Sequence, residues 1–176
     1  MKKNPRIALV GYGRMGQELH RSIADRGWPE PCIVDPLNAR VYESIDDLVG
    51  RGVDVCVEFT VPNVAVKNIL ACVRGGLPVV SGTTGWDNDL AVVADAVRES
   101  NAACIHASNF SIGVYLFRRI AIYAAGLLRD FPQYDFALHE VHHAAKLDSP
   151  SGTALTLARG ILDAYPGKHA IETSIP

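Results

Sequence analysis

Short runs of β-branched and other apolar residues alternate along the first part of the chain with longer stretches whose apolar positions recur at helical spacing. The runs fall at 6–10, 32–34, 53–58, 78–81 and 103–107. Between them Met15, Leu19 and Ile23 share one helical face, as do Val66, Ile69, Leu70 and Val73, and again Leu90, Val93, Ala94 and Val97. Strand followed by helix, repeated, predicts a parallel sheet covered by helices on both faces. The polar stretch 35–42 is too brief for a full crossover helix, so the connection after the second strand is expected to be abbreviated. Local punctuation agrees: Ser44-x-x-Asp47 reads as a helix start, Thr60-Val61-Pro62 places a capping residue before a proline, and Gly75-Gly76 follows a helix end. From Asn109 the rhythm changes to a long apolar helix at 114–128, a strand-like stretch at 134–141, a polar turn and a helix led by Ser151-Gly152. The expected division is 1–108 and 109–176, with no repeat, low-complexity tract or Ser/Pro-rich linker between the parts.

The composition narrows the partners. In 176 residues, Lys and Arg (17) nearly balance Asp and Glu (19), so neither a nucleic acid nor a membrane surface is expected, and a small molecule is. Cys32, Cys56, Cys72 and Cys104 are widely spaced, form no C-x-x-C, and mostly sit in apolar runs where a thiol acts as a small hydrophobe. A reducing, cytoplasmic setting follows as an expectation. No apolar stretch approaches bilayer length and the first residues run directly into a strand, so a soluble, unprocessed chain is expected.

Gly11-Tyr12-Gly13-Arg14-Met15-Gly16 follows the first apolar run and opens a helix, the arrangement of a dinucleotide-binding turn. The three glycines serve different physical ends: Gly11 permits the tight turn, Gly13 lets backbone approach a pyrophosphate, and Gly16 allows helix and strand to pack closely. The helix start then offers N–H groups to the phosphates. Asp35 ends the second strand, about 20 residues on, where an acid hydrogen-bonds the adenosine ribose. A carboxylate there repels a 2′-phosphate and Pro36 follows it, so NADH is favoured over NADPH. Alternatively Asp35 only opens an Asp-Pro turn, and Arg40 remains within reach of a phosphate.

Ligands of open α/β sheets bind beyond the carboxyl ends of the strands. Ser81-Gly82-Thr83-Thr84-Gly85 and Ala107-Ser108-Asn109-Phe110-Ser111 follow the fourth and fifth strands with small, hydroxyl-bearing or amide residues suited to a nicotinamide, although each alone is also an ordinary polar loop. His106 reads as a packed or half-exposed histidine.

Glu140-Val141-His142-His143-Ala144-Ala145-Lys146-Leu147-Asp148-Ser149-Pro150-Ser151-Gly152-Thr153-Ala154 combines two imidazoles and an ammonium with a turn that opens a helix. Positive charge, hydroxyls and free helix-start N–H groups suit a small anion such as a dicarboxylate. An imidazole can also deliver a proton, and a lysine can stabilise an anion or donate in turn. Zinc is disfavoured, because adjacent histidines on extended backbone point to opposite sides and Lys146 repels a cation. The plain alternative is a solvated loop before a capped helix.

These segments, with Glu58-Phe59-Thr60, resemble in identity and order those of the dihydrodipicolinate reductases, also called 4-hydroxy-tetrahydrodipicolinate reductases. The resemblance implies a Rossmann-type doubly wound parallel sheet followed by part of an α+β substrate-binding domain. It implies that Gly11, Tyr12, Gly13, Arg14, Met15 and Gly16 hold the cofactor pyrophosphate and Asp35 its ribose. Gly82, Thr83, Thr84, Ala107, Ser108, Asn109 and Phe110 would lie at the nicotinamide. His142 would be the catalytic acid and Lys146 the second proton donor, with His143, Gly152 and Thr153 gripping the substrate carboxylates and no metal involved. The reaction implied is NAD(P)H-dependent reduction of a cyclic unsaturated dicarboxylate to tetrahydrodipicolinate in lysine and diaminopimelate biosynthesis, by a homotetramer. Family members continue through further strands of the substrate domain that also form the tetramer interface. Two other readings stay open: an NAD(H)-binding fragment without catalysis, and a related amino-acid dehydrogenase.

Overall fold

A computed structural model describes residues 4–35, 44–142 and 149–172. The chain forms two compact units, Met1–Ala107 and Ser108–Pro176. The first contains β1 (Ile7–Val10), α1 (Arg14–Asp25), β2 (Cys32–Val34), β3 (Val55–Glu58), α2 (Pro62–Arg74), β4 (Val79–Ser81), α3 (Leu90–Glu99) and β5 (Cys104–His106). All strand pairs are parallel, in the order β2-β1-β3-β4-β5. The order reverses between β1 and β3, which opens a crevice at the carboxyl ends of those two strands.

Alternation along the strands decides which helix covers which face. Ala8, Val10, Cys56 and Val79 face Ala65, Ile69, Cys72 and Val73 of α2 and Val93 of α3, while Ile7 and Leu9 pack with Ile23 of α1 on the opposite face. Both faces of β1 are therefore buried, which is why its sequence is apolar throughout rather than alternating. In α3 the covered face is Val93 with Ala96 and Val97, whereas Leu90 is exposed. The connection after β2 contains no α-helix among the described residues, only a short 3-10 turn at Asp46–Leu48, with the Ser44 N–H donating to Asp47 Oδ2 at 3.2 Å.

The end of α2 follows its glycines. Gly76 takes φ +72°, its N–H reaches Val73 O, and the N–H of Leu77 reaches back to Cys72 O, closing the last turn in a Schellman arrangement. The start of α2 corrects the expectation from sequence: the residue before the helix is Val61, without a side-chain cap, and the Thr60 hydroxyl donates to Glu58.

All four cysteines are free. Cys72 is hydrogen-bonded to Cys56 beneath α2, and that contact together with burial pushes its thiol far above the usual range. Burial and the neighbouring Glu58 push Cys104 upward as well.

The second unit contains α4 (Ile112–Leu127) and α5 (Gly152–Ala164). Helix α4 begins two residues before its expected start because Ser111 caps it, accepting from the Val114 N–H. Gly160 of α5 lies against Ile122 of α4, where a Cβ would sit 2.5 Å from Ile122 Cδ1. Ile112, Phe117, Ile120 and Tyr123 of α4 are exposed. The strand expected at 134–141 is not formed: the stretch joins no ladder among the described residues. It is held by the α5 end instead, through Tyr165 Oη donating to Tyr134 O at 2.8 Å and an edge contact between Phe136 and Tyr165. No helix among the described residues is long and apolar enough to cross a membrane.

Candidate functional site

In the first unit, the turn after β1 is shaped by three glycines in three different ways. Gly11 has φ +92°, and a Cβ there would lie 2.3 Å from the carbonyl oxygen of Phe59. A Cβ on Gly16 would lie 2.3 Å from the carbonyl oxygen of Gly11, so helix and turn pack with no room for a side chain. A Cβ on Gly13 would meet nothing within 4 Å. Its backbone faces open space at the start of α1, and no side chain caps that start. This is the cradle a dinucleotide pyrophosphate requires: accessible backbone, uncapped N–H groups and the positive end of a helix dipole. Gly16→Ala is expected to weaken NADH binding at least tenfold, about 1.4 kcal/mol, by pushing the turn from the helix; a fluorescence titration with NADH checks it.

A groove of about 1030 Å³ runs from this turn past Asp35 and along α2, where Val64, Lys67, Asn68 and Ala71 line it. A recess of about 310 Å³ adjoins Gly13, Arg14 and Met15 and is closed on its other side by Thr60, Gly82, Thr83 and Thr84. The fold thus brings the Gly82–Thr84 loop beside the glycine turn. The Asp35 carboxylate accepts from the Tyr12 N–H at 2.9 Å, tying the tip of β2 to that turn. Tyr12 lines the groove, while its phenol is paired with His20 Nδ1 at 2.6 Å and His20 Nε2 meets Glu30 at 2.9 Å. Lys67 and Asn68 escaped the sequence reading, although their spacing with Val64 and Ala71 marks one helical face.

Beneath the recess lies Glu58, fully buried at the end of β3. Its carboxyl accepts from Ser81 Oγ at 2.6 Å, from Thr83 Oγ1 at 3.0 Å, from the Thr60 hydroxyl and from the Thr60 N–H at 3.2 Å. The Thr60 N–H also reaches Thr83 Oγ1 at 2.8 Å. Parallel register sets Ser81 beside Glu58, so one side chain fixes the exits of two strands. Gly82 then passes flat against the Phe59 ring, where a Cβ would sit 2.1 Å from Cε1. Trp86 Nε1 donates to Thr83 O at 2.8 Å and its ring packs on His106, whose buried Nε2 has no partner among the described residues. His106 is accordingly a packing residue. The signal in the sequence was an acid closing an apolar strand, two residues before a threonine.

In the second unit, the centre is Glu140. Its Oε1 accepts from the Ser151 N–H at 2.8 Å, and Oε2 accepts from Ser151 Oγ at 2.5 Å and meets His142 Nε2 at 2.7 Å. Ser151 Oγ in turn accepts from the Ala154 N–H at 3.0 Å and caps α5. Ser151 above all, then His142, hold the Glu140 carboxyl down to about 2. Gly152 and Thr153 occupy the exposed first turn of α5. Ser108, Asn109 and Phe110 open this unit, with Asn109 Oδ1 accepting from the Ser111 N–H at 2.8 Å, and Ala107 closes the first. Lys146 and His143 lie outside the described residues. Among the described residues, no three His, Cys, Asp or Glu side chains are grouped to hold a metal ion.

The depressed Glu140 value carries a pH consequence. The stability it contributes is complete above the unfolded carboxyl value, about 4.3, and is lost as pH falls from there toward 2. Asp135, held down by Lys168 at 2.7 Å, acts in the same direction. Amide-exchange protection at the start of α5 is expected to decline across that interval, and not to rise.

The family model described as dihydrodipicolinate reductase, N-terminus, matches residues 5–110, and that described as its C-terminus matches residues 113–175. A 4-hydroxy-tetrahydrodipicolinate reductase of Christiangramia forsetii is 43% identical over 89% of this chain and 64% of its own length. One from Beutenbergia cavernae is 38% identical over 97% of this chain and 69% of its own. The solved structure of dipicolinate-bound dihydrodipicolinate reductase from Paenisporosarcina sp. TG-14 superposes with TM-score 0.72 at 25% identity, covering 98% of this chain and 71% of that one. The chain therefore spans about two thirds of the length of these relatives.

Proposed function

The chain belongs to the dihydrodipicolinate reductase family, and from that premise we propose that it carries the nicotinamide-dependent reduction of 4-hydroxy-tetrahydrodipicolinate to tetrahydrodipicolinate in lysine and diaminopimelate biosynthesis. The observation that carries this reading is the open backbone at Gly13 beside the Gly82–Thr84 loop. Gly11 to Gly16 would hold the pyrophosphate at the start of α1, Asp35 the adenosine ribose, and Gly82 to Thr84 with 107–110 the nicotinamide. When bound, that cofactor supplies the hydride.

The chain must supply the proton. His142 is the proposed acid and Lys146 the second donor. The substrate is a cyclic dicarboxylate, the class to which the dipicolinate of the Paenisporosarcina protein belongs. Gly152 and Thr153, exposed at the start of α5, would receive one carboxylate on backbone N–H and hydroxyl donors, with His143 as the cationic partner. A cytoplasmic homotetramer is the proposed setting.

NADH is the proposed preferred cofactor, since Asp35 is among the residues lining the groove and a carboxylate disfavours a 2′-phosphate, whereas Lys67 lines the same groove and tempers the preference. A second reading, binding of NAD(H) without turnover, rests on the first unit, which holds the glycine turn, Asp35 and the long groove by itself. Titration with NADH and NADPH by fluorescence, then addition of enzymatically generated substrate while nicotinamide absorbance is followed, separates the two. Oxidation of the cofactor supports the reductase; tight binding without oxidation supports the second reading. Asp35→Ala should narrow the difference between NADH and NADPH.

A further inference from the structure

We infer that Glu140 is a positioning residue that fixes the ring and the tautomer of His142 and couples it to the first turn of α5. What His142 then does rests on the reductase reading above. Three contacts converge on one carboxyl group: the Ser151 N–H at 2.8 Å, Ser151 Oγ at 2.5 Å and His142 Nε2 at 2.7 Å. The Ser151 contacts hold this group well below the usual carboxylate range, so it is ionised near neutral pH. An ionised carboxylate only accepts hydrogen bonds. The ring nitrogen that faces it, Nε2, therefore carries hydrogen, and Nδ1 is left as the nitrogen that gains and loses the exchangeable proton.

The same carboxyl orients the Ser151 hydroxyl. Because Oγ gives its hydrogen to Glu140, its lone pairs are available to the Ala154 N–H at 3.0 Å. Among the described residues this leaves the N–H groups of Gly152 and Thr153, in the same first turn, without a side-chain cap and available to an anion. One side chain thus sets both the proton-bearing ring and the helix start proposed to hold a carboxylate. Neither half of that arrangement is visible in the spacing of the histidines. Among the described residues Glu140 is the charged group that meets His142.

The test compares the full chain with Glu140→Gln and Ser151→Ala. The readouts are imidazole ¹⁵N shifts of His142, assigned against a His142→Gln sample, and kcat with its solvent deuterium isotope effect. A glutamine can still accept from Ser151 but presents an amide donor to the ring, so the neutral ring should pass from the Nε2–H to the Nδ1–H form. Turnover should fall about 10²-fold with a larger solvent isotope effect and an unchanged NADH dissociation constant. Ser151→Ala loses the cap and keeps the carboxylate, and should lower the melting temperature without moving the tautomer. An Nδ1–H ring in the unmodified chain, or Glu140→Gln with unaltered tautomer and kcat, would overturn the inference. If the tautomer moves as expected but the unmodified chain never turns over, the positioning role stands and the reductase reading falls.

Discussion

His142→Ala is expected to lower turnover by about 10²–10⁴-fold, the range that a positioned proton donor contributes, with NADH affinity unchanged. The glycine turn, Asp35 and the long groove all belong to the first unit, whereas His142 belongs to the second and meets Glu140 there. Removing the imidazole takes away a group needed when the proton moves and nothing that holds the dinucleotide in the ground state, so kcat and kcat/KM should fall together. Lys146→Ala is expected to act in the same direction, on the strength of its place in the same motif. The double variant should be little worse than the more damaging single one, because proton donors acting in one step do not contribute independently. Steady-state kinetics beside a fluorescence titration checks the pair. An equal loss of NADH binding would move both residues from the chemistry to the cofactor site.

Glu58→Ala is expected to destabilise the first unit by about 3 kcal/mol or more and to lower its melting temperature by about 10 °C or more. Ser81 is fully buried and Thr83 nearly so, and both direct their hydroxyls at this carboxyl. Each buried polar group left without a partner costs about 1–3 kcal/mol, and alanine strands at least two. Glu58→Gln keeps one accepting oxygen and should cost clearly less. Calorimetry on the two variants separates the hydrogen-bond loss from a general intolerance of the site. Since Thr60, Thr83 and Gly82 border the recess beside Gly13, weaker NADH binding should accompany the lower stability in Glu58→Ala. Unaltered melting would mean that the hydroxyls find other acceptors.

Much of the first unit is legible in the sequence because β1 is buried on both faces and β2, β3 and β4 are buried or half-buried at every position, so that they read as largely apolar runs, with ends that differ by a residue or two from those observed. The glycine turn is legible for the same kind of reason: Gly11 and Gly16 face carbonyl oxygens at distances no side chain permits. Thr60 reads wrongly as a cap because the local pattern threonine, valine, proline does not reveal that Val61 takes the position before the helix. The stretch 134–141 reads as strand-like from its residues, but such a reading says nothing about whether a neighbouring strand exists to pair with it. The contacts of Glu58 and Glu140 and the place of Lys67 on the groove wall are hidden in the sequence for a common reason. Their partners lie on other elements, at Ser81 and Thr83, along the groove wall, or at Ser151, and only the tertiary fold makes them converge.

The buried thiols give the molecule a chemical stopwatch. Alkylation proceeds through the thiolate, and Cys56 and Cys72 are fully buried, with the Cys72 proton held firmly in place. At these two positions the intact fold should therefore be mute toward iodoacetamide, and a label on either residue would record an excursion in which α2 has left the sheet. When such openings are brief compared with alkylation, the labelling rate scales with their population, so a reagent series reads the local opening free energy of the wall that frames the dinucleotide groove. Bound NADH should slow that clock in proportion to its occupancy, which offers a measure of binding that depends on no optical signal.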